Sequence, residues 1–403
     1  PVSESHKPTP AHLQAEAMFQ NGTQAYQAGR LSEAARFLNI AEERYEQLGK
    51  KDDRIEVLLS LAKVQQALGD LDEALSSLQK AATLGLPDDP SALITHDLQM
   101  GNLYLARGDL DLAEKELKQA MTLAAENSLT PFQAAIANDL GNLHQARQDF
   151  EKAQAAYFRS FELSKNPARM STALTNAARV AALSGDHSEA WDLAHQGIKH
   201  INALPESRLP SFLQVSLAET LLDFPSSEYG RKHLTLAESL LFQAAQRAEE
   251  MNDATTASQA WGALGRAAEL QGRYDQALIL THKAVHEAQK ASQAASLYRW
   301  QWQAGRVLHA QGKRTQAIAA LRSSIWTLAT IRGEISCTYA EPQRSFRKAA
   351  STICFQLVRL LLEEDTTRGG NNQNILREIR DLVELLKVYE LREFFQDDCQ
   401  IGR

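Results

Sequence analysis

Cysteine is nearly missing from this chain: three residues in 403, Cys337, Cys354 and Cys399, all within the last seventy positions. An odd count without a C-x-x-C pair excludes both a disulfide framework and a zinc ribbon. Positive charge is also short, 43 Lys and Arg against 50 Asp and Glu for a net charge of -7, which argues against nucleic acid as a partner. No run of uncharged apolar residues is long enough to span a membrane. Strand-like alternation of β-branched residues never lasts more than a few positions, so no sheet is expected. What remains is 44% hydrophobic and 23% charged, with the two signs mixed: enough to bury a core, and unlike a disordered tail. A start at Pro1 fits removal of a signal peptide and an exported or periplasmic location, and fits a trimmed cytoplasmic chain equally well.

The chain repeats itself. Eight alanines, Ala34, Ala74, Ala113, Ala153, Ala190, Ala237, Ala277 and Ala317, recur at spacings of 40, 39, 40, 37, 47, 40 and 40 residues. The one long gap holds Phe224, Pro225 and Gly230, a loop insertion. In the third unit Gly108 suits the left-handed end of one helix, and Asp109 or Asp111 suits the cap of the next. Upstream, Met100, Leu103 and Tyr104 carry helical apolar spacing, while Gly101 and Ala113 are small enough to bring two helices close. The same register sets Leu61 and Ala62 before Gly69 and Leu71, Leu140 and Gly141 before Phe150 and Tyr157, and Leu264 and Gly265 before Tyr274. Asp89, Thr130 and Asn166, each followed by proline, read as helix starts. The units are therefore helical hairpins.

This pattern resembles the tetratricopeptide family, whose usual unit is ~34 residues with small residues at two fixed positions. The resemblance covers about residues 11–326, after a flexible tail over 1–10. It implies an all-α, right-handed superhelical solenoid, here with units longer by about six residues and with the fifth and sixth the most degenerate; His187 replaces the apolar turn residue. It further implies that one position of each first helix faces a concave groove: Thr23, Lys63, Asn102, Asn142, Arg179, Glu219, Arg266 and Arg306. Of these, Lys63, Asn102, Asn142, Arg179, Arg266 and Arg306, joined by Asn138 one turn before Asn142, are the candidate partner-binding residues. Side-chain amides can grip a peptide backbone and arginines can hold carboxylates bidentately, so the expected partner is a protein or peptide of acidic character. Lys63, Asn102 and Asn142 stand in the order of the family's carboxylate clamp, which is incomplete here. The alternative is that these are solvated groove residues without a ligand.

After Trp326 the period ends, and helices are expected over 327–334, 342–364 and 374–395, the last two separated by a Gly-Gly-Asn-Asn linker. Glu384, Leu386, Glu390, Leu391, Phe394, Phe395 and Cys399, together with Arg344, Phe346 and Leu360, resemble the helical stem that joins tetratricopeptide arrays to a caspase-like peptidase domain in bacterial, many of them cyanobacterial, proteins of the CHAT type. That resemblance implies that residues 327–403 are a stem preceding a CHAT domain, and that the array regulates its own or a separate peptidase. The same helix also reads as a cap, because Leu382, Leu385, Leu386, Tyr389 and Phe394 form an apolar stripe able to cover the end of an array. Neither the His-Gly nor the Ser-Ala-Cys step of such a peptidase occurs in the chain.

Three further constellations carry little. His282 and His286 stand four apart, but no third ligand follows, so no metal or other cofactor is expected. Trp300 and Trp302 with Arg299 and Arg306 can form a stacking platform or simply fill a core, and the negative net charge favours the core. Tyr157, Phe158 and Phe161 read as packing between units. The expected function is a non-catalytic interaction scaffold. Its rivals are a self-assembling structural subunit, since open-ended solenoids can stack head to tail, and a hydrolase hidden in the array that uses one of the three cysteines.

Overall fold

The computed structural model of the chain describes residues 9–224, 231–330, 346–367, 370 and 372–401, and of 346–348 and 389–401 the backbone alone. The described residues form eighteen helices and no strand. Hairpins pair α1 (Pro10–Gln27) with α2 (Leu31–Gln47), α3 (Lys51–Leu68) with α4 (Leu71–Leu84), α5 (Pro90–Arg107) with α6 (Leu110–Glu126), α7 (Thr130–Ala146) with α8 (Phe150–Leu163), α9 (Pro167–Ser184) with α10 (His187–Asn202), and α11 (Arg208–Leu222) with α12 (Lys232–Glu250). Two more pair α13 (Ala254–Leu270) with α14 (Tyr274–Lys290) and α15 (Ala294–Ala310) with α16 (Arg314–Thr330). α17 (Phe346–Thr367) and α18 (Gln373–Ile401) close the chain. The described helices make eight hairpins and a closing pair, in an all-α solenoid of the kind anticipated. Most of the expected insertion, 225–230, and Cys337 lie outside the described residues.

The repeated alanine is the point where the two helices of a hairpin cross. All eight are 0–1% exposed. In the first, third, seventh and eighth hairpins a glycine twelve positions before the alanine faces it from the first helix. A methyl group on Gly101 would lie 2.8 Å from Leu117 and 3.5 Å from the Ala113 carbonyl oxygen; on Gly22, 2.8 Å from Leu38 and 3.4 Å from the Ala34 oxygen; on Gly305, 2.7 Å from Leu321 and 3.5 Å from the Ala317 oxygen. Those leucines are fully buried, each a gain of ~1.5–3 kcal/mol. In the fourth hairpin Tyr157 takes the leucine's place, and its ring would meet a Gly141 methyl at 2.5 Å.

Helix ends follow the expected chemistry in part. Asp89 caps α5 through the Ala92 N–H (3.1 Å) and Asn166 caps α9 through the Ala168 N–H (2.9 Å). Gly108 ends α5 in the left-handed region at φ 82°. Thr130, in contrast, is the first residue of α7, capped by Leu129 without a side-chain bond. Asp109 likewise makes no side-chain cap, and Asp111 is drawn away by Arg147 at 2.7 Å. That pairing is itself periodic: Arg107 to Asp72 (2.9 Å), Arg147 to Asp111 (2.7 Å) and Gln311 to Asp275 (2.9 Å) each link the end of a first helix to the second helix of the preceding hairpin.

The chain divides into two compact units, 1–256 and 257–403. Within the first, the first helices lie side by side, α1 against α3, α3 against α5, α5 against α7, α7 against α9 and α9 against α11. One contact reaches much further. Gly29, in the α1–α2 turn at φ 77°, is buried against Asp253, and a methyl there would lie 2.5 Å from the Asp253 carboxyl carbon. Asp253 is 1% exposed, pairs with Arg208 at 3.1 Å and accepts from the Thr256 N–H.

In the second unit α17 and α18 cover the last hairpin. Ile353, Cys354, Leu357 and Leu361 of α17 are buried with Ala317, Leu321 and Leu328 of α16 and with Ile375 and Leu382 of α18. Leu385 and Leu386 pack at the edge of that core, while the side chains of Tyr389, Glu390, Leu391, Phe394, Phe395 and Cys399 lie outside the described residues. Arg322 grips Glu378 bidentately at 2.6 Å, and Trp302 donates its indole N–H to Gln356 at 2.7 Å. α16 runs through 327–330 without a break, so Thr327, the expected start of a separate helix, lies inside α16.

A mid-helix Gly→Ala change ordinarily stabilises by ~0.5–1 kcal/mol. Gly141→Ala is expected to do the reverse by about 1–3 kcal/mol, through overpacking against Tyr157, as a lower midpoint in guanidinium unfolding. For the long contact, Gly29→Ala should speed amide exchange at residues 251–256, whereas Gly49→Ala, also at positive φ but with open space around it, should not. Equal exchange in the two variants would remove the contact from the solution structure.

Candidate functional site

The crossings at Gly101 and Gly141 fix the rotation of α5 and α7, and so decide which of their residues meet. In the third and fourth hairpins this brings three of the sequence candidates onto one residue that sequence reading passed over, Asp139 of α7. Asn102 of α5 donates to Asp139 Oδ2 at 2.9 Å. Asn138 and Asn142, on either side of Asp139 along α7, donate to Oδ1, each at 3.3 Å. Asn176 of α9 extends the row by donating to Asn138 Oδ1 at 3.0 Å. The amides of Asn138 and Asn142, expected to face a peptide backbone directly, are thus oriented by an acid first.

The Tyr157 ring that packs on Gly141 carries the site's second anchor. Its hydroxyl donates to Asn142 Oδ1 at 2.8 Å and lies 3.1 Å from Gln145 Oε1, fixing which way the Asn142 amide points. Burial raises the Tyr157 pKa, so the group stays a donor. Desolvation also pushes the Asp139 pKa above its ordinary value, outweighing the opposing pull of the Asn102 and Asn138 amides, the Arg169 charge and the Asn142 amide. Arg169, in the first turn of α9, is itself lowered by desolvation and raised by Asp139. The result is a partly buried carboxylate held by neutral donors, with one cation acting from the next hairpin.

The remaining candidates go to different surroundings. Arg179 of α9 donates to Ser216 of α11; burial lowers its pKa, and Tyr157 and Glu219 oppose that. Arg306 of α15 is held bidentately by Glu269 at 2.8 and 2.9 Å and stacks over Trp302 at 4.7 Å. Arg266 lies on α13 in the second unit. Lys63 of α3 is exposed, and among the described residues it has no acidic partner; its pKa is lowered by desolvation. Of the predicted basic ladder, Arg306 is neutralised by Glu269, and an acid, Asp139, stands beside its middle. Asp139, Asn176 and Ser216 all sit three residues before a ladder position, one helical turn away on the same face. A second polar row at that offset was the available signal.

The other constellations resolve into packing. Trp300 is 4% exposed, fits over Gly262 and donates to Ser258 Oγ at 2.9 Å. Cys354 is buried, and burial pushes its thiol up to about 11, the opposite of an activated nucleophile. The His286 side chain is 76% exposed, and among the described residues no group of three or more His, Cys, Asp or Glu is placed to hold a metal. Among them, too, no helix is long and apolar enough to cross a membrane.

Two family models described as tetratricopeptide repeat match the chain, over residues 92–166 and 55–80, so Asn102, Asn138, Asp139 and Asn142 lie within a matched stretch. Comparison with curated proteins finds no match. Among solved structures, the chain is similar to the Rap conjugation gene regulator of the plasmid pLS20 in complex with the Phr* peptide, at 14% identity and TM-score 0.53 over 70% of this chain and 75% of that one. It is also similar to a signal transduction ATPase with numerous domains and a tetratricopeptide repeat sensor from Pyrococcus horikoshii, at 12% identity and TM-score 0.51 over 81% of this chain and 50% of that one. A Rap protein complexed with Competence and Sporulation Factor aligns over 87% of this chain and all of its own at 13% identity and TM-score 0.49. At these identities the likeness is one of fold: a tetratricopeptide-like helical array.

Asp139 yields a pH prediction. A carboxyl whose folded-state pKa is raised contributes stability that is fully present below its unfolded-state value, 3.8, and is lost as pH climbs through the folded-state value. Asp139→Asn lacks that titration, so its unfolding midpoint should rise relative to wild type between acid pH and neutrality. A difference that is constant with pH would show that Asp139 is not desolvated as described.

Proposed function

We propose that the protein is an interaction scaffold that binds a peptide along the first-helix wall of hairpins three to five. The observation that carries this reading is the convergence of Asn102, Asn138 and Asn142, from two hairpins, on the partly buried carboxylate of Asp139. A carboxylate that desolvation disfavours has a standing gain to make from a donor, and each amide keeps a second N–H to offer. A peptide backbone supplies donors and acceptors in alternation, and a basic side chain suits Asp139. The Rap regulator of pLS20, which shares the fold, is described in complex with a peptide, and that supports the class of ligand. A helix presented by a partner protein is a longer version of the same occupant. An acidic stretch in the ligand would be read by Lys63 and Arg179, in a salt-dependent way.

The finer form of the proposal is that the array regulates a caspase-like peptidase of the CHAT type in a bacterial protein, holding it inactive until a ligand docks. It rests on Glu384 and Leu386 and on the rest of that phrase, whose side chains lie outside the described residues. A second reading, self-association, is favoured by Trp326 and Phe355, 72% and 63% exposed on α16 and α17. Light scattering that shows one mass at every protein concentration would end it.

Selection of a displayed library of random short peptides on the full chain tests the main proposal. Enriched peptides should lose about tenfold or more in affinity to Asp139→Asn and to Asn142→Ala, since hydrogen bonds to a charged group contribute ~1.5–3 kcal/mol. Peptides that bind both variants as well as wild type would place the site elsewhere.

A further inference from the structure

Six hairpins, α1 to α12, make up most of the first unit. Their first helices touch in succession from α1 to α11 while successive second helices stand further apart, so the first helices line the inner side of a curve. The curve meets itself: Gly29, in the turn of the first hairpin, is buried against Asp253, in the turn that follows α12. Corresponding turns do not behave this way, for around Gly69 of the second hairpin and Gly185 of the fifth there is open space. Nor does the positive φ of such a turn demand glycine, because Gln148 holds the same place in the fourth hairpin at φ 61°. What excludes a side chain at position 29 is the Asp253 carboxyl group, whose carbon would lie 2.5 Å, and both of whose oxygens would lie 2.8 Å, from a methyl there.

The contact is made so that it can part. Gly29 brings no hydrogen bond to it: its N–H is bonded to the Tyr26 carbonyl and its own carbonyl accepts from the Leu31 N–H, both inside the turn. Asp253 is bonded on its own side, to Arg208 Nε of α11 at 3.1 Å and to the Thr256 N–H at the start of α13 at 3.1 Å. Separation therefore breaks none of these bonds, and it returns water to a carboxylate that is 1% exposed. Ser211, one turn after Arg208, and Thr256, one turn after Asp253, are also buried, and neither hydroxyl has a hydrogen-bond partner among the described residues. Buried polar groups left unpaired oppose the packed arrangement.

We propose that Gly29 and Asp253 are the two faces of a clasp: closed, it completes a ring of six hairpins around the groove, and parted, it opens the wall. The inference rests on the peptide-binding reading above and adds how the ligand gets in. First helices ~8–10 Å apart, six to a turn, bound a circle about twice that across, and helices ~10–12 Å thick with their side chains leave a passage of under about 10 Å within it. Such a passage admits an extended chain and stops a folded domain, ~30 Å across. With the clasp closed, a ligand reaches Asn102, Asp139 and Asn142 endwise, as a chain with a free end. A segment held between two folded domains reaches them only when Gly29 and Asp253 part.

Peptides enriched by the library selection on the full chain are the probes, each made in two forms: at the free end of one small folded domain, and between two such domains. On wild type the second form should associate about tenfold or more slowly than the first, as binding that waits on a conformational change does. Gly29→Gln should bring the two rates together, and Gly69→Gln, the same change in a turn with open space around it, should leave them as in wild type. Equal rates for both forms on wild type, or a difference that Gly29→Gln leaves intact, overturn this inference and leave the peptide reading standing. A selection that enriches nothing ends the peptide reading, and small-angle scattering then decides the clasp: the radius of gyration should rise in Gly29→Gln relative to wild type and Gly69→Gln, and three equal radii overturn it. Should Gly29→Gln fold poorly, Gly29→Ala takes its place, since a methyl alone already meets the Asp253 carboxyl group.

Discussion

The crossing of a glycine or alanine in one helix over an alanine in the next is the constraint from which the rest follows. At Gly22, Gly101, Gly141 and Gly305 there is no room for a methyl group, because the large side chain four residues after the alanine already fills the space. Close approach at one point fixes the axial position and the rotation of both helices, since neither can slide or turn without driving Leu38, Leu117, Tyr157 or Leu321 into backbone. Repeating that point once per hairpin turns a string of amphipathic helices into an array with a common register. Each hairpin then buries its apolar face only against its neighbours, and the polar links along the wall, Arg107 to Asp72 and Arg147 to Asp111, can recur with the period of the sequence.

Because the register is settled at the crossings, polar residues between neighbouring first helices are not called on to set it. They vary freely from hairpin to hairpin: Lys63, Asn102, Asn142, Arg179 at one position, and Gln99, Asp139, Asn176, Ser216 at the other. The site grows out of that freedom. Replacing the usual leucine by Tyr157 adds a hydroxyl at the crossing itself, and that hydroxyl reaches through the hairpin to orient Asn142. A packing residue thereby becomes a positioning residue, and the amide it orients turns toward Asp139 without further help from solvent.

Much of the fold was legible because it is built from repetition. Alanines recurring every 37 to 47 residues fall one to each described hairpin, and Asp89 and Asn166 before proline located helix starts to the residue. Where local chemistry was ambiguous, tertiary partners decided it: Asp111 was open to capping a helix but is taken by Arg147, and Thr130 yields its capping place to Leu129. The site was legible only by half. Reading one position per helix found Asn102 and Asn142 and missed Asp139, because the feature that matters is a pair of positions one helical turn apart whose partners sit on different hairpins. No single-position ladder exposes a contact of that kind. It also made the groove look more basic than it is, since Glu269, which holds Arg306 bidentately, lies on a neighbouring hairpin at a different offset.

The same logic sets what a ligand can gain. In a wall where neighbouring helices are already bonded to each other, the side chains that meet a ligand have little freedom left to lose, so affinity comes from preorganisation more than from area. Asp139 is held by three amides before any ligand arrives, and its desolvation is already built into the fold. Binding a donor there recovers stability that folding gave up, whereas the same donor placed against a solvated surface acid would gain little.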